Sequence, residues 1–276
     1  MAEATVGGNA EAITAAELAE IGLRYEVDGE IATITLNRPE RRNAQTFATW
    51  SALARIGDGL PARVRVVVVQ GEGPSFSSGI DLRMFGSDGV PGQEPFPASF
   101  GASASLDDEA LERSIRQAQR GFLWLRRPDI VSIAAVQGHA IGAGFQLALA
   151  CDLRVLAEDA KLCMKEAALG LVPDLTGTKP LVDIVGLPRA LELCLTARTV
   201  DAREAFELRL AELVVPREEL SRAVRDLAAA LLSTDREAAR AVKRLLQGAP
   251  ERSLEEQCAA ERREQVARLK ALFAGR

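Results

Sequence analysis

The chain has 276 residues, of which 47% are apolar, 26% charged and 4% aromatic, the proportions of a globular protein with apolar chain for one large domain or two small ones. Thirty-four basic residues face thirty-nine acidic ones, a formal net charge of −5; this excludes bulk binding to nucleic acid or an anionic membrane, which needs a basic face. One histidine, His139, and four scattered cysteines without a CxxC pair exclude a His/Cys zinc site.

The cysteines, Cys151, Cys163, Cys194 and Cys258, read as reduced thiols in the core of a cytoplasmic protein. Residues 1–21 are Ala/Glu-rich and polar and are expected to be loosely ordered. The first twenty contain no Lys or Arg and no compact apolar block, so no secretory signal is expected. Two strands follow, Leu23–Val27 and Ile31–Leu36, joined by the hairpin turn signal Asp28-Gly29. Asn37–Ala44 is a loop with a proline and three arginines, after which Thr46 offers an N-cap for a helix to about Ile56. Arg63–Gln70, RVRVVVVQ, is a buried strand.

From Gly86 to Ser105 eleven of twenty residues are Gly, Pro or Ser, which predicts a mobile loop. An amphipathic helix is expected from about Asp107 to Leu125, stopping before Arg126-Arg127-Pro128. Ile130–Cys151 carries no charge and is long enough to span a bilayer. Its Ser132, Gln137, Gly138, His139, Gly142, Gly144 and Gln146 instead predict a strand at Val131–Val136, a turn over Gln137–Ile141 and a buried helix at Gly142–Ala150. Another strand follows at Leu153–Ala157. Short helices are expected near Lys165–Leu169, Leu175–Val185, Pro188–Leu195 and Asp201–Glu207, with a last strand at Leu213–Pro216. The final sixty residues read as two or three helices, and Leu254, Cys258, Val266, Leu269 and Phe273 form an apolar stripe. No exact repeat is visible, and the class is α/β.

Three common catalytic arrangements are missing. Gly142-Ala143-Gly144 lacks the third glycine and the later acidic residue of a dinucleotide fold. There is no phosphate loop of the GxxxxGK[ST] type, and the serine-rich SFSSG is not a nucleophile elbow. His139 reads as a packed turn histidine. What remains is two glycine-bearing turns, each after a buried strand: Ser77-Ser78-Gly79-Ile80-Asp81, and Gly138 to Gly144. Free backbone amides at such turns converge on an anionic oxygen. Downstream stand two carboxylates, Glu166 and Asp174, with Gly170 and Pro173 between them.

The ordered segments ITLNRPERRNA, FSSGIDL, QGHAIGAGFQLALACDLRVLAEDAKLCMKEAALGLVPDLTGT and VGLPRALELCLTARTVDAREAFELRLAELVVP resemble the enoyl-CoA hydratase/isomerase (crotonase) superfamily. The likeness runs from about Leu23 to Leu272. It implies a crotonase-like spiral of ββα units over residues 22–200, binding acyl-CoA, and a helical C-terminal oligomerisation region over 201–276. It also implies a homotrimer or homohexamer, no metal, and no cofactor beyond the coenzyme A carried by the substrate. The thioester carbonyl would lie between the backbone amides of Ile80 and Ala143, stabilising an enolate. Arg42, Ala44, Ser78, Asp81 and Leu82 match positions that contact coenzyme A, and Gly142 and Gln146 fall within the substrate site. Read without the resemblance, the arginines of the Asn37–Ala44 loop are also a solvated face, and Glu166 and Asp174 also helix-capping or surface carboxylates.

Two departures bear on the reaction. Position 143 is alanine where glycine is usual, which leaves the amide intact provided the backbone there does not need positive φ. Position 146 is glutamine where a hydratase of this family carries the first of two glutamates. Glutamine exchanges no proton at neutral pH, whereas Glu166 matches the second glutamate. Glu166 and Asp174 match proton-carrying positions of the family's dienoyl-CoA isomerases, and Asp174 also matches a dehalogenase nucleophile, without the tryptophan that accompanies it. Double-bond isomerisation on an unsaturated acyl-CoA is therefore the expected reaction. Hydration through Glu166, and a non-catalytic acyl-CoA-binding protein, remain the alternatives. The Gly86–Ser105 loop is the expected wall of the acyl pocket.

Overall fold

The computed structural model describes residues 13–86, 89–91 and 108–274. Leu23–Asp28 (β1) and Ile31–Leu36 (β2) form the expected hairpin, with Leu23 opposite Leu36 and Asp28 opposite Ile31. From β2 onward every pairing in the main sheet is parallel. Val66–Gly71 (β3), Val131–Val136 (β4), Leu153–Ala157 (β6) and Leu213–Val215 (β9) are added in the order β1-β2-β3-β4-β6-β9.

A second, three-stranded sheet consists of His139–Ile141 (β5), Lys161–Cys163 (β7) and Val200–Asp201 (β8). Single bridges carry its pattern backwards along the chain: Ser77 pairs with Ala140, and Gln45 with Ile80. Each main-sheet strand from β2 to β6 is thus followed by a shorter piece running beside the previous short piece. The result is a spiral of strand, short strand and helix, repeated in structure although no repeat is visible in sequence.

Period-two alternation sets the core. Val67, Val69, Ala134 and Val136 point into one apolar cluster, and Val66, Val68, Ile133 and Ala135 into another on the opposite face. The first face is covered by Phe47–Asp58 (α2), Asp108–Leu123 (α3) and Ala143–Ala150 (α4), through Trp50, Leu53, Phe122, Phe145 and Leu149. The second is covered by Leu220–Leu232 (α8), whose Leu220, Val224 and Ala228 lie one turn apart. Burying each valine of β3 contributes on the order of 1.5–3 kcal/mol.

Several sequence expectations are corrected in detail. Within residues 13–21, expected to be loose, Ala15–Ile21 (α1) is helical: Thr14 and Glu17 form a reciprocal capping box and Leu18 enters the core. Residues 1–12 lie outside the described residues. The valine strand starts at Val66 because Pro61–Val64 closes a turn. α2 starts on the Thr46 cap as expected. α3 stops at Leu123 and gives way to a 3-10 turn at Trp124–Arg126. Of the Gly86–Ser105 loop, residues 87–88 and 92–105 lie outside the described residues, so the acyl-wall expectation there does too.

Residues Gln137–Ile141, expected as a turn, include β5, and β7 and β8 were likewise not expected from sequence. Strands of two or three residues are too short to show periodicity. Glu166–Leu169 is a 3-10 turn. The next helices are Thr178–Val185 (α5), Leu187–Thr196 (α6) and Ala202–Glu207 (α7), the last capped by Asp201. Arg236–Gly248 (α9) and Leu254–Phe273 (α10) complete the chain's described elements. Among the described residues no helix is long and apolar enough to cross a membrane. Cys151 and Cys163 are buried, whereas Cys194 and Cys258 are partly exposed.

One buried ion pair holds α9 to the sheet. Lys243 Nζ donates to Asp152 Oδ2 at 2.6 Å and to the carbonyls of Ile130 and Arg127 at 2.7 and 2.8 Å. The same Asp152 oxygen accepts from Ser132 N at 2.8 Å. Burial lowers the Lys243 pKa from its usual value, and the Asp152 charge opposes that shift. Lys243→Met leaves a buried carboxylate and two carbonyls without their cation and is expected to cost about 3–5 kcal/mol. Urea unfolding checks this.

Candidate active site

The two glycine-bearing turns are stitched side by side. Ser77 N donates to the His139 carbonyl and Ile141 N donates to the Ser77 carbonyl, at 2.8 and 3.0 Å. Ile80 and Ala143 each lie three residues beyond the paired residues Ser77 and Ala140. Gly79 is where the turns approach closest: a Cβ there would stand 2.5 Å from the Ile141 carbonyl oxygen and 3.6 Å from Ala143 N. Among the described residues, neither Ile80 N–H nor Ala143 N–H has a protein acceptor.

The alanine at position 143 costs the turn nothing. Positive φ falls on Gly142, at 51° with ψ −118°, and Ala143 begins the helix α4 in an ordinary conformation. Position 142 is glycine because of that positive φ, and a Cβ there would also stand 3.2 Å from Glu166 Oε1.

Glu166 opens its 3-10 turn just after β7 and is 8% exposed. Gln146 Nε2, from α4, donates to its Oε1 at 2.6 Å, while its Oε2 is buried without a hydrogen-bond partner. Burial raises the Glu166 pKa; the Gln146 hydrogen bond opposes this and the nearby Asp174 charge adds to it. Asp174 is half-buried, and burial raises its pKa as well. Its main-chain carbonyl is held by Gln119 Nε2 at 2.8 Å, from α3. The Gln146 oxygen accepts from Leu175 N and Gly177 N at 2.8 and 3.2 Å.

These groups share a cavity of about 660 Å³. Phe47 and Trp50 of α2 and Leu111, Ile115 and Ala118 of α3 form an apolar wall, while Glu166, Asp174, Gln146 and Lys165 lie among its polar lining. Ala44, Ser78, Ile80, Asp81, Leu82, Gly142, Ala143, Gln146, Glu166 and Asp174, all expected from sequence, line it. Arg42 does not; its neighbour Arg41 does. Arg42 takes φ 50° and Asn43 φ 56°, and the pair turns the chain so that the Arg42 carbonyl accepts from Ser78 N. Asp81 is a brace: its carboxylate is gripped by Arg83 and Arg38 at 2.7 and 3.1 Å. Hydrogen bonding from Arg83, joined by Arg38, lowers its pKa to about 2.

Asn43, Gln45 and the framework role of Ser77, named in the sequence only as part of a turn, were not anticipated. Asn43 is buried and donates to the Glu72 and Ser75 carbonyls. Ser77 Oγ donates to the Asn43 carbonyl and accepts from Gln45 Nε2. Polar residues inside motif segments are the signal that could have pointed to them. His139, expected to be packed, is exposed and only approaches Ser75 Oγ, at 3.3 Å from Nδ1. Alternation along β5 turns it outward.

The sequence profile of the family described as Enoyl-CoA hydratase/isomerase matches residues 26–271. The chain belongs to that family. A putative enoyl-CoA hydratase from Thermobifida fusca YX, solved in complex with CoA, is 59% identical, with a TM-score of 0.89 over 95% of this chain and 98% of that one. The same description with acetoacetyl-CoA bound is 58% identical, with a TM-score of 0.89 over 95% of this chain and 100% of that one. The peroxisomal Delta(3,5)-Delta(2,4)-dienoyl-CoA isomerase of Arabidopsis thaliana is 33% identical over 68% of this chain and 66% of its own length. The crotonase-superfamily membership and α/β fold expected from the sequence are therefore established, and the chain is an enzyme of the hydratase/isomerase family.

Gly142→Ala tests the geometry of this enzyme's turn. A side chain in the left-handed region costs about 1–2 kcal/mol. It would also shift Ala143 N and Glu166, and a displacement near 1 Å lowers turnover by about 10²-fold. Steady-state kinetics on an acyl-CoA, together with a thermal melt, should show both losses.

Proposed function

We propose that this enzyme isomerises a double bond of an unsaturated acyl-CoA. The Ile80 and Ala143 amides hold the thioester oxygen, and Glu166 and Asp174 carry the proton. The observation that carries the reading is Glu166 itself, whose buried Oε2 has no protein partner in a cavity that also contains a second carboxyl, Asp174. The ionised carboxyl of the pair takes a proton from the carbon chain. The electron pair moves toward the thioester oxygen, where two amides stabilise the enolate by roughly 3–4 kcal/mol each. The protonated member returns a proton at another carbon, and no atom is gained or lost. Burial raises both pKa values, which suits groups that must hold and release protons near neutrality.

The ligands of the Thermobifida protein, CoA and acetoacetyl-CoA, support an acyl-CoA substrate. The isomerase named among the relatives supports the reaction type. Position 146 argues against water addition, because Gln146 offers no exchangeable proton beside Glu166. On this reading Ala44, Ser78 and Leu82 flank the coenzyme A moiety, Arg41 stands where Arg42 was expected, and Asp81 braces the loop.

Mass spectrometry of the product separates the reactions: isomerisation leaves the mass unchanged, and hydration adds one water. Glu166→Gln should lower turnover by about 10²–10⁴-fold while coenzyme A still binds. Turnover within twofold of the natural enzyme would overturn the role of Glu166.

The same reading includes a homotrimer or homohexamer. Leu254, Val266, Leu269, Leu272 and Phe273 of α10 are exposed on the single chain, an apolar face suited to burial between copies. Light scattering at micromolar concentration should give a mass of three or six chains; a monomer would overturn the assembly.

A further inference from the structure

We propose that Gln146 is the positioning residue of this site, one carboxamide that fixes the Glu166 carboxyl and the 174–177 segment in a single frame. The inference rests on the proton-transfer reading and adds to it the role of a residue that carries no proton. The orientation of the amide is dictated by its partners. Two N–H donors, Leu175 N and Gly177 N, converge on one of its terminal atoms at 2.8 and 3.2 Å, so that atom is the oxygen. The NH2 group is thereby aimed at Glu166 Oε1, 2.6 Å away. Gln146 is 1% exposed, so in the intact site these bonds are shielded from solvent.

The same side chain therefore holds the Glu166 carboxyl directly and, through the backbone of Leu175 and Gly177, the segment that carries Asp174. Glu166 is fixed through Oε1, which leaves Oε2 as its reactive atom. Asp174 immediately precedes Leu175, the first of the two donors. Between the donors Thr176 takes φ 71°, a conformation unfavourable for a β-branched residue, and the two bonds to Gln146 hold it there. The segment's other tether at this point is Gln119, on the Asp174 carbonyl.

The groups facing Glu166 are Asp174 from the segment, Lys165 beside it in the chain, Cys163 from β7 and Cys194 from α6. α4 contributes the neutral Gln146. Removing its hydrogen bond withdraws an interaction that favours the ionised carboxyl, so Glu166 should titrate at higher pH.

The test compares Gln146→Met with Gln146→Glu in the full-length enzyme. Carbon-13 NMR of labelled glutamate, assigned with Glu166→Gln, reads the Glu166 titration, and kinetics read kcat, KM and the pH profile. In Gln146→Met, kcat should fall by about 10²-fold with KM little changed, and the Glu166 midpoint should move up. Gln146→Glu still accepts from Leu175 and Gly177 and, when protonated, donates to Glu166. It should recover turnover toward low pH and lose it as the shared proton leaves. Natural kcat with an unmoved Glu166 midpoint in Gln146→Met would overturn the proposal. So would a lower melting temperature with an unmoved midpoint, which marks a merely structural role. Gln146→Glu that adds water faster than the natural enzyme isomerises would also overturn it, by making position 146 catalytic. If Gln146→Met fails to fold, the pH dependence of Gln146→Glu decides. Undiminished turnover in Glu166→Gln would instead remove the proton-transfer reading, and the NMR titration would still test the positioning.

Discussion

Ser77 is the residue through which the site is assembled. Its backbone exchanges hydrogen bonds with His139 and Ile141, while its hydroxyl donates to the Asn43 carbonyl and accepts from Gln45 Nε2 and Gly79 N. Three separate segments, 43–45, 77–80 and 139–143, are thereby held at one point. The carbonyl of Gly79 and the N–H of Asp81 then pair with Gln45, which leaves the intervening Ile80 N–H unpaired toward the cavity. Since Ser77 is fully buried, its bonds do not compete with water. The open amides on either side follow from this register.

Around that point the chain separates braced polar groups from an open one. Asp81, Asn43 and Gln45 have their polar atoms engaged by protein partners. Glu166 Oε2 does not. A buried acceptor left open usually costs about 1–3 kcal/mol, and a fold tolerates it where the neighbouring structure holds the group regardless. Here the holding is done by Gln146 from α4 and by the 3-10 turn that follows β7.

The hairpin, the valine strand, the strand Val131–Val136 and the helix behind Gly142 were legible in the sequence because each carries its own local signal. A turn dipeptide, a β-branched run and an uncharged apolar stretch need no tertiary context. The residues Ile80, Ala143, Glu166 and Asp174 were legible through a resemblance in motif order, and the structure brings all four to one cavity. What the sequence withheld was relational. β5, β7 and β8 are strands only because each has a neighbour to pair with. α1 depends on a capping box in an otherwise polar, Ala/Glu-rich segment. The bonds of Gln146 join α4 to a segment 29 to 31 residues away, a distance no local pattern encodes. Arg41 and Arg42 differ in position because successive left-handed residues at 42 and 43 redirect the chain, and neither is a glycine.

The spiral has a consequence for tolerance to insertion and deletion. Each short strand sits in register with the one before it, and the amides of Ile80 and Ala143 are located by counting three residues from a shared bridge. A single residue removed between β5 and α4 would leave the main sheet paired. It would also turn the helix start by about 100°, one residue's rotation in a helix of 3.6 residues per turn, and carry Gln146 with it. The scaffold is indifferent to such a change, and the placement of the two open amides is not. In this architecture the length of a connection, as much as the identity of its residues, specifies the geometry of the site.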